Sequence, residues 1–153
     1  MGPLVADRRL EVMEDFISDA ISSGGEVISG GGRGQSPGSF FEPTLIRDVP
    51  DTAKIMIEEP FGPVAPSASF SSIDEIIERA NSLPFGLASY AFTSNPRTSQ
   101  ILKSEIESGM LAINSMHIHS VETPFGGLKH SGYGYEGSIC LLYTSPSPRD
   151  QLT

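Results

Sequence analysis

The segment Glu58-Glu59-Pro60-Phe61-Gly62-Pro63-Val64 places carboxylates, an aromatic ring and two prolines within seven residues. Two prolines and a glycine make a rigid, non-repeating loop, which can hold a carboxylate and a ring in fixed relation to a ligand. The same residues also suit a structured turn whose acids are only solvated. A second glycine-dense loop runs Pro124-Phe125-Gly126-Gly127-Leu128-Lys129-His130-Ser131-Gly132-Tyr133-Gly134-Tyr135-Glu136-Gly137. Its last six residues formally match the dinucleotide pattern G-x-G-x-x-G. That pattern needs a strand before it and a helix after it, whereas a Gly-Gly-Leu-Lys loop precedes it here, so it is not a cofactor fingerprint. Gly30-Gly31-Gly32-Arg33-Gly34 lacks the Gly-Lys-Ser/Thr ending of a phosphate loop, and Pro37 and Phe40-Phe41 stand where a helix would have to begin. It reads as a flexible turn. His117 and His119 form an i, i+2 pair that specifies no metal site without a third ligand. Cys140 is the only cysteine, which excludes a disulfide framework and a multi-cysteine zinc site and leaves a lone thiol as a candidate nucleophile.

These residues need elements to position them. After Asp7, residues Leu10, Met13, Phe16, Ile17, Ala20 and Ile21 recur at spacings of three and four, predicting an amphipathic helix capped near Asp7 and stopped by Gly24-Gly25. Glu26 to Ser29 reads as a short strand. Phe40 to Ile46 has strand composition, with Pro43 placing it at an edge or bend. Val64 to Phe70 is a further strand, weakened by Pro66. Ser72-Ile73-Asp74-Glu75 is a capping box opening a helix with Ile73, Ile76, Ile77 and Ala80 inward. Leu87 to Thr93 is a strand, and Asn95-Pro96 caps a helix that turns Ile101, Leu102 and Ile106 inward and ends at Gly109. Met110 to Asn114 is the last strand. The β-α-β-α-β order predicts an α/β fold, a parallel sheet with flanking helices. No internal repeat or domain linker stands out.

Composition narrows the function. The 153 residues hold 10 Lys or Arg against 19 Asp or Glu, a formal charge of −9. With no basic stripe, that balance argues against nucleic acid and other polyanions as partners. Counting Gly and omitting Tyr, apolar residues are about 46%, within the usual globular range of roughly 45–50%, so disorder of the whole chain is excluded. No apolar run approaches the roughly 20 residues that cross a bilayer, and Met1-Gly2-Pro3-Leu4 does not begin a signal peptide. The chain is expected to be soluble and cytoplasmic, without a membrane partner. From Cys140 onward the character changes: no periodicity, and a Ser-Pro-Ser-Pro run at residues 145–148. Cys140 to Asp150 resembles one reading frame of a transposase-type sequencing adapter, which would make residues 140–153 an artefactual tail. The −9 charge belongs to residues 1–139 alone, because the tail carries one Arg and one Asp.

Taken together, the Glu-Glu-Pro-Phe-Gly-Pro-Val segment, the run from Ala80-Asn81 through Phe85-Gly86-Leu87-Ala88 to Phe92-Thr93, and the Pro-Phe-Gly-Gly-x-Lys-x-Ser-Gly-x-Gly-x-Glu-Gly segment resemble the C-terminal part of an aldehyde dehydrogenase. Gly2-Pro3-Leu4 and Gly38-Ser39-Phe40-Phe41-Glu42-Pro43-Thr44 fit the same family. The resemblance covers residues 2–139 and implies an incomplete aldehyde dehydrogenase catalytic domain. It implies oxidation of an aldehyde to a carboxylic acid with NAD or NADP: a cysteine thiolate adds to the carbonyl, hydride leaves for the nicotinamide, and a glutamate activates water against the thioester. By the same resemblance Glu59 hydrogen-bonds the nicotinamide ribose and Phe61 packs beside the nicotinamide. Phe125 matches an aromatic residue of the aldehyde tunnel, and Ser115-Met116-His117-Ile118-His119 its variable loop. Pro60 stands where many relatives have a β-branched residue, which should stiffen the loop.

The family's nucleophilic cysteine, general-base glutamate and oxyanion-stabilising asparagine match positions upstream of Gly2, so no catalytic residue and no metal ligand is assigned here. Cys140 follows the tunnel loop and has no basic neighbour in sequence closer than Arg149 to activate it. The Glu122 to Gly127 context and the Gly132 to Gly137 ending are similar to enzymes of the succinate-semialdehyde dehydrogenase type. An acidic semialdehyde is therefore the expected small-molecule partner, its carboxylate held by Ser115, His117 or His119 unless those histidines are only solvated. The parent enzyme is expected to be a homo-oligomer. Two other readings remain open: a non-catalytic binding or assembly module retaining part of the fold, and a fragment without function. With supporting strands missing, an unpaired edge and an exposed apolar face are expected.

Overall fold

The computed structural model describes residues 1–120 and 123–137; Glu122, Cys140 and the proposed tail at 140–153 lie outside them. The chain divides into two compact units, Met1–Ser71 and Ser72–Thr153. No boundary was expected between Ser71 and Ser72, because the serine-rich stretch there lacks the prolines and glycines that usually mark one.

In the first unit, helix α1 spans Arg8–Ser22 and buries Leu10, Met13, Phe16, Ile17 and Ala20. These meet Phe41, Ile46, Val49, Ala53, Ile55 and Val64 in one apolar cluster. Each such side chain removed from water contributes about 1.5–3 kcal/mol, so this stripe fixes the helix on its sheet. Asp7 stands at the N-cap, but its side chain makes no cap hydrogen bond. Its Oδ1 instead accepts from the Ser39 hydroxyl at 2.5 Å, tying the helix entry to the Phe40 segment. The far end closes as expected. Gly24, at φ +110°, donates to Ile21 O, and Gly25 donates to Ala20 O, the paired bonds of a glycine-stopped helix.

Strand β1 (Glu26–Ser29) pairs antiparallel with β2 (Thr44–Arg47), which pairs parallel with β3 (Val64–Pro66). Two of the strand expectations shorten. The 40–46 strand starts only after Pro43, and the 64–70 strand ends at Pro66. Proline has no N–H to give a ladder, so it is tolerated at ends and edges, and β3 is an edge. The glycine cluster forms the connection between β1 and β2, with Gly34 N donating to Phe40 O and Glu42 N to Gly32 O. Gly30, at φ +72°, passes so close to Pro43 O that a Cβ would lie 2.3 Å from it. Gly30 thus serves close backbone approach. A short helix not expected from the sequence, α2 (Lys54–Ile57), follows.

In the second unit, α3 (Ile73–Asn81) opens on Ser72, whose hydroxyl accepts from Glu75 N at 3.1 Å. Ile73, Ile76 and Ile77 are only half-buried, and Ala80, expected inward, is exposed. Strand β4 (Phe85–Gly86) and then β5 (Ala88–Ala91) follow. Helix α4 (Pro96–Glu105) is capped by Asn95, whose side chain accepts from Arg97 N and Thr98 N, and it ends four residues short of Gly109. Strand β6 (Met110–Ile113) pairs parallel with β5, giving one complete β-α-β unit. Strand β7 (Leu128–Lys129) returns antiparallel to β4. The expected single parallel sheet is therefore divided. β3 pairs with β2 and β5 with β6, so the alternation marks an α/β chain without joining its strands into one ladder. Phe85, Leu87, Tyr90 and Phe92 remain exposed.

Candidate functional site

The loop from Glu58 to Val64 is built on the first helix. Asp19 Oδ2 accepts from Lys54 N at 2.7 Å, and Asp15 Oδ2 pairs with Lys54 Nζ at 2.5 Å, pinning α2 to α1. The Asp15 hydrogen bond, then its charge, keeps the Lys54 ammonium protonated to higher pH than usual. Glu58 N closes α2 on Lys54 O. The chain then turns through Phe61 at φ +39°, a conformation unusual for a residue with a side chain and costing of order 1–3 kcal/mol. Two contacts hold it. Arg9 Nη2 donates to Pro60 O and, at 3.4 Å, to Phe61 O. Gly62 lies so close to Met13 that a Cβ would fall 2.2 Å from its sulfur. Beyond it, Pro63 O accepts from Thr44 N, the step that launches β3 beside β2. The segment is a structured turn, and Arg9, which carried no sequence signal, is part of it.

Glu59 is exposed and its carboxylate has no hydrogen bond or ion pair among the described residues, while the Phe61 ring is 73% exposed. An ionised carboxylate is an acceptor only, matched to a pair of vicinal hydroxyls. Two residues on, the exposed Phe61 ring presents an apolar surface.

The second unit carries the other four candidates. Strand β6 leads into Asn114, at φ +56°, whose amide bonds both N and O of Thr93 and extends the β5–β6 pairing. Ser115 Oγ accepts from His117 N at 2.9 Å, so this hydroxyl shapes the turn that displays the His117 ring. His119 meets Phe125 edge to face, with ring centroids 5.5 Å apart. His117 and His119 are exposed, and Phe125 is half-buried. Phe125 is held by a two-bond bridge to Glu136. Gly126 lies against Tyr135, where a Cβ would be 2.4 Å from the ring, and Gly109 crosses Gly126 O with only 1.8 Å left for a Cβ. Among the described residues no three His, Cys, Asp or Glu gather as a metal would require.

Much of the polar content of the motifs is used for support. Lys129 Nζ donates to Asn81 O at 2.8 Å and Leu83 O at 3.1 Å, and pairs with Glu107 at 2.6 Å. Asn81 in turn donates to Glu105 O and accepts from Glu107 N, fastening the end of α3 to the end of α4. Ser131 Oγ accepts from Gly86 N, and His130 N donates to Pro84 O, clamping the glycine loop onto β4. Spacing alone did not reveal these roles, because the partners are up to 48 residues apart.

The chain is an α/β chain with a carboxylate-and-ring loop in its first unit and a clamped glycine-dense loop in its second. The chain belongs to the aldehyde dehydrogenase family, which it matches over residues 1–145 and which uses NAD or NADP. It is 42% identical over 137 residues to mitochondrial succinate-semialdehyde dehydrogenase of Rattus norvegicus, covering 90% of this chain and 26% of that protein. It is 43% identical over 138 residues to a probable NADP(+) succinate-semialdehyde dehydrogenase of Sinorhizobium fredii, covering 90% and 28%. The crystal structure of succinate-semialdehyde dehydrogenase from Burkholderia pseudomallei superposes with a TM-score of 0.86 at 37% identity, over 90% of this chain and 29% of that one. The chain thus spans about a quarter of the length of the curated relatives it matches.

Proposed function

We propose that the chain is part of an NAD(P)-dependent dehydrogenase that oxidises succinate semialdehyde to the dicarboxylic acid. The observation that carries this is the exposed Glu59 carboxylate, without a partner among the described residues and two residues from the exposed Phe61 ring, in a sequence 42% identical to a succinate-semialdehyde dehydrogenase. The chemistry that a bound NAD(P) would supply is acceptance of the hydride from the substrate carbon. Glu59 accepts the two ribose hydroxyls, and Phe61 limits the nicotinamide to its transfer geometry. Phe125 lines the aldehyde path and orients His119 by ring contact. His117 and His119 each carry a ring N–H that can bond the far carboxylate of the substrate, and Ser115 sets the turn that presents them. The nucleophile and general base come from outside residues 2–139. We place the enzyme in the cytoplasm as a homo-oligomer.

Two measurements test this. The 153-residue chain, incubated with NAD or NADP and a panel of aldehydes, should produce no NAD(P)H above background; turnover would overturn the assignment of the nucleophile elsewhere. The complete polypeptide carrying this segment should prefer succinate semialdehyde to uncharged aliphatic aldehydes in kcat/KM. The opposite preference would remove the semialdehyde reading.

A further inference from the structure

We propose that Arg9 is a positioning residue for the cofactor loop: one guanidinium nitrogen, donating to the carbonyls of Pro60 and Phe61, holds Phe61 in its left-handed conformation. The role rests on reading Glu59 and Phe61 as the ribose and nicotinamide contacts.

Three observations converge on it. Phe61 occupies φ +39°, where a residue with a Cβ does not stay unaided. In that conformation the Pro60 and Phe61 carbonyls both lie within reach of Arg9 Nη2. Arg9 also sits in the first turn of α1, where a cation works against the helix dipole, so its place there needs another interaction to offset it. The carbonyl pair supplies one. The helix that carries Arg9 is anchored by its neighbour Leu10 and by Met13, both buried in the core. Met13 is also the side chain that Gly62 closes upon. The loop is therefore held on both sides of Phe61 by one rigid helix. Glu59, the residue before Pro60, inherits its direction from the same clamp, while its carboxylate stays free for a ligand.

The test is made on the 153-residue chain by amide exchange at Thr44 and Val64, whose N–H groups bond Pro63 O and Gly62 O. Arg9→Met should speed that exchange about tenfold, the loss of roughly one charge-assisted hydrogen bond, and Arg9→Lys should restore part of it. Glycine adopts positive φ without help. Arg9→Met should therefore have a clearly smaller effect in a Phe61→Gly background. Unchanged exchange in Arg9→Met, or an equal effect in both backgrounds, would overturn the proposal. If Arg9→Met fails to fold, the comparison of Arg9→Lys with and without Phe61→Gly decides the same question. Nicotinamide mononucleotide is then titrated at millimolar concentration while the amide shifts of residues 59–62 are followed. Both Arg9→Met and Glu59→Gln should weaken these shifts several-fold. Weakening by Glu59→Gln alone would sink the role of Arg9 and leave the cofactor reading intact. No response in the unsubstituted chain would sink the cofactor reading, and with it the role.

Discussion

Lys129→Met is expected to destabilise the second unit far more than its one visible ion pair would suggest. Lys129 Nζ bonds two backbone carbonyls at the end of α3, Asn81 O at 2.8 Å and Leu83 O at 3.1 Å, and pairs with Glu107 at 2.6 Å. A hydrogen bond from a charged donor contributes roughly 1.5–3 kcal/mol net. The Lys129 side chain is 26% exposed, so the lower figure applies to each. The Glu107 carboxylate is 56% exposed, and such pairs contribute under about 1 kcal/mol. The loss is therefore about 3 kcal/mol, nearly all of it from the carbonyls. At about 1.4 kcal/mol per factor of ten, amide exchange in α3 and β6 should accelerate about a hundredfold. Hydrogen exchange followed by mass spectrometry reads this directly, with α1 peptides as the internal reference. Glu107→Gln, which removes only the ion pair, should accelerate exchange less than about fivefold. Equal effects from the two substitutions would refute the reasoning, because the carbonyl bonds would then contribute nothing.

Gly109→Ala should abolish the folded circular dichroism signal of the second unit, since the new Cβ would fall 1.8 Å from the backbone oxygen of Gly126, which cannot rotate away. Gly32→Ala, with nothing within 4 Å, should be nearly neutral; a chain that tolerates both equally would contradict the packing described. Hydrogen bonding to Arg33, then its charge, holds Glu14 below its ordinary value of 4.5. A lowered folded pKa gives stability that is present above the unfolded value and lost as pH falls through the folded one. The gap in urea midpoint between the unsubstituted chain and Glu14→Gln should thus close on acidification, and a gap of the same size at both ends of the titration would refute the pairing.

Local signals read well wherever one residue type does one local job. Ser72 and Asn95 cap helices because their side-chain oxygens reach amides two and three residues on, and Gly24 stops α1 because it alone accepts φ +110° cheaply. Non-local arrangements were not legible. Asp7 has the right type and position for a cap, yet its carboxylate is taken by Ser39, 32 residues away. Strand order was not legible for the same reason. Alternation of strands and helices says that strands run parallel, not which pair, and β3 found β2 instead of β5. The candidate site divides likewise. Glu59 and Phe61 were found through the resemblance their loop carries, whereas Arg9 acts across 51 residues and no spacing could reveal it.

Partner accounting separates two kinds of motif residue that resemblance treats alike. Lys129, Asn81 and Ser131 spend their polar atoms on backbone groups of neighbouring segments, as buried or half-buried donors and acceptors must. Their substitution should be felt as stability. Glu59 spends none among the described residues, and two residues on stands a phenylalanine that is both exposed and held in a costly conformation. A fold gains nothing by straining a residue to display its ring to water. On the proposed cofactor reading the gain lies with a ligand that covers the ring and meets the carboxylate, so substitution of Glu59 should leave stability unchanged and be felt in binding. Glu59→Gln is the sharpest single check. A fall in melting temperature comparable to that of Lys129→Met would place Glu59 with the scaffold and remove the physical basis for the cofactor reading.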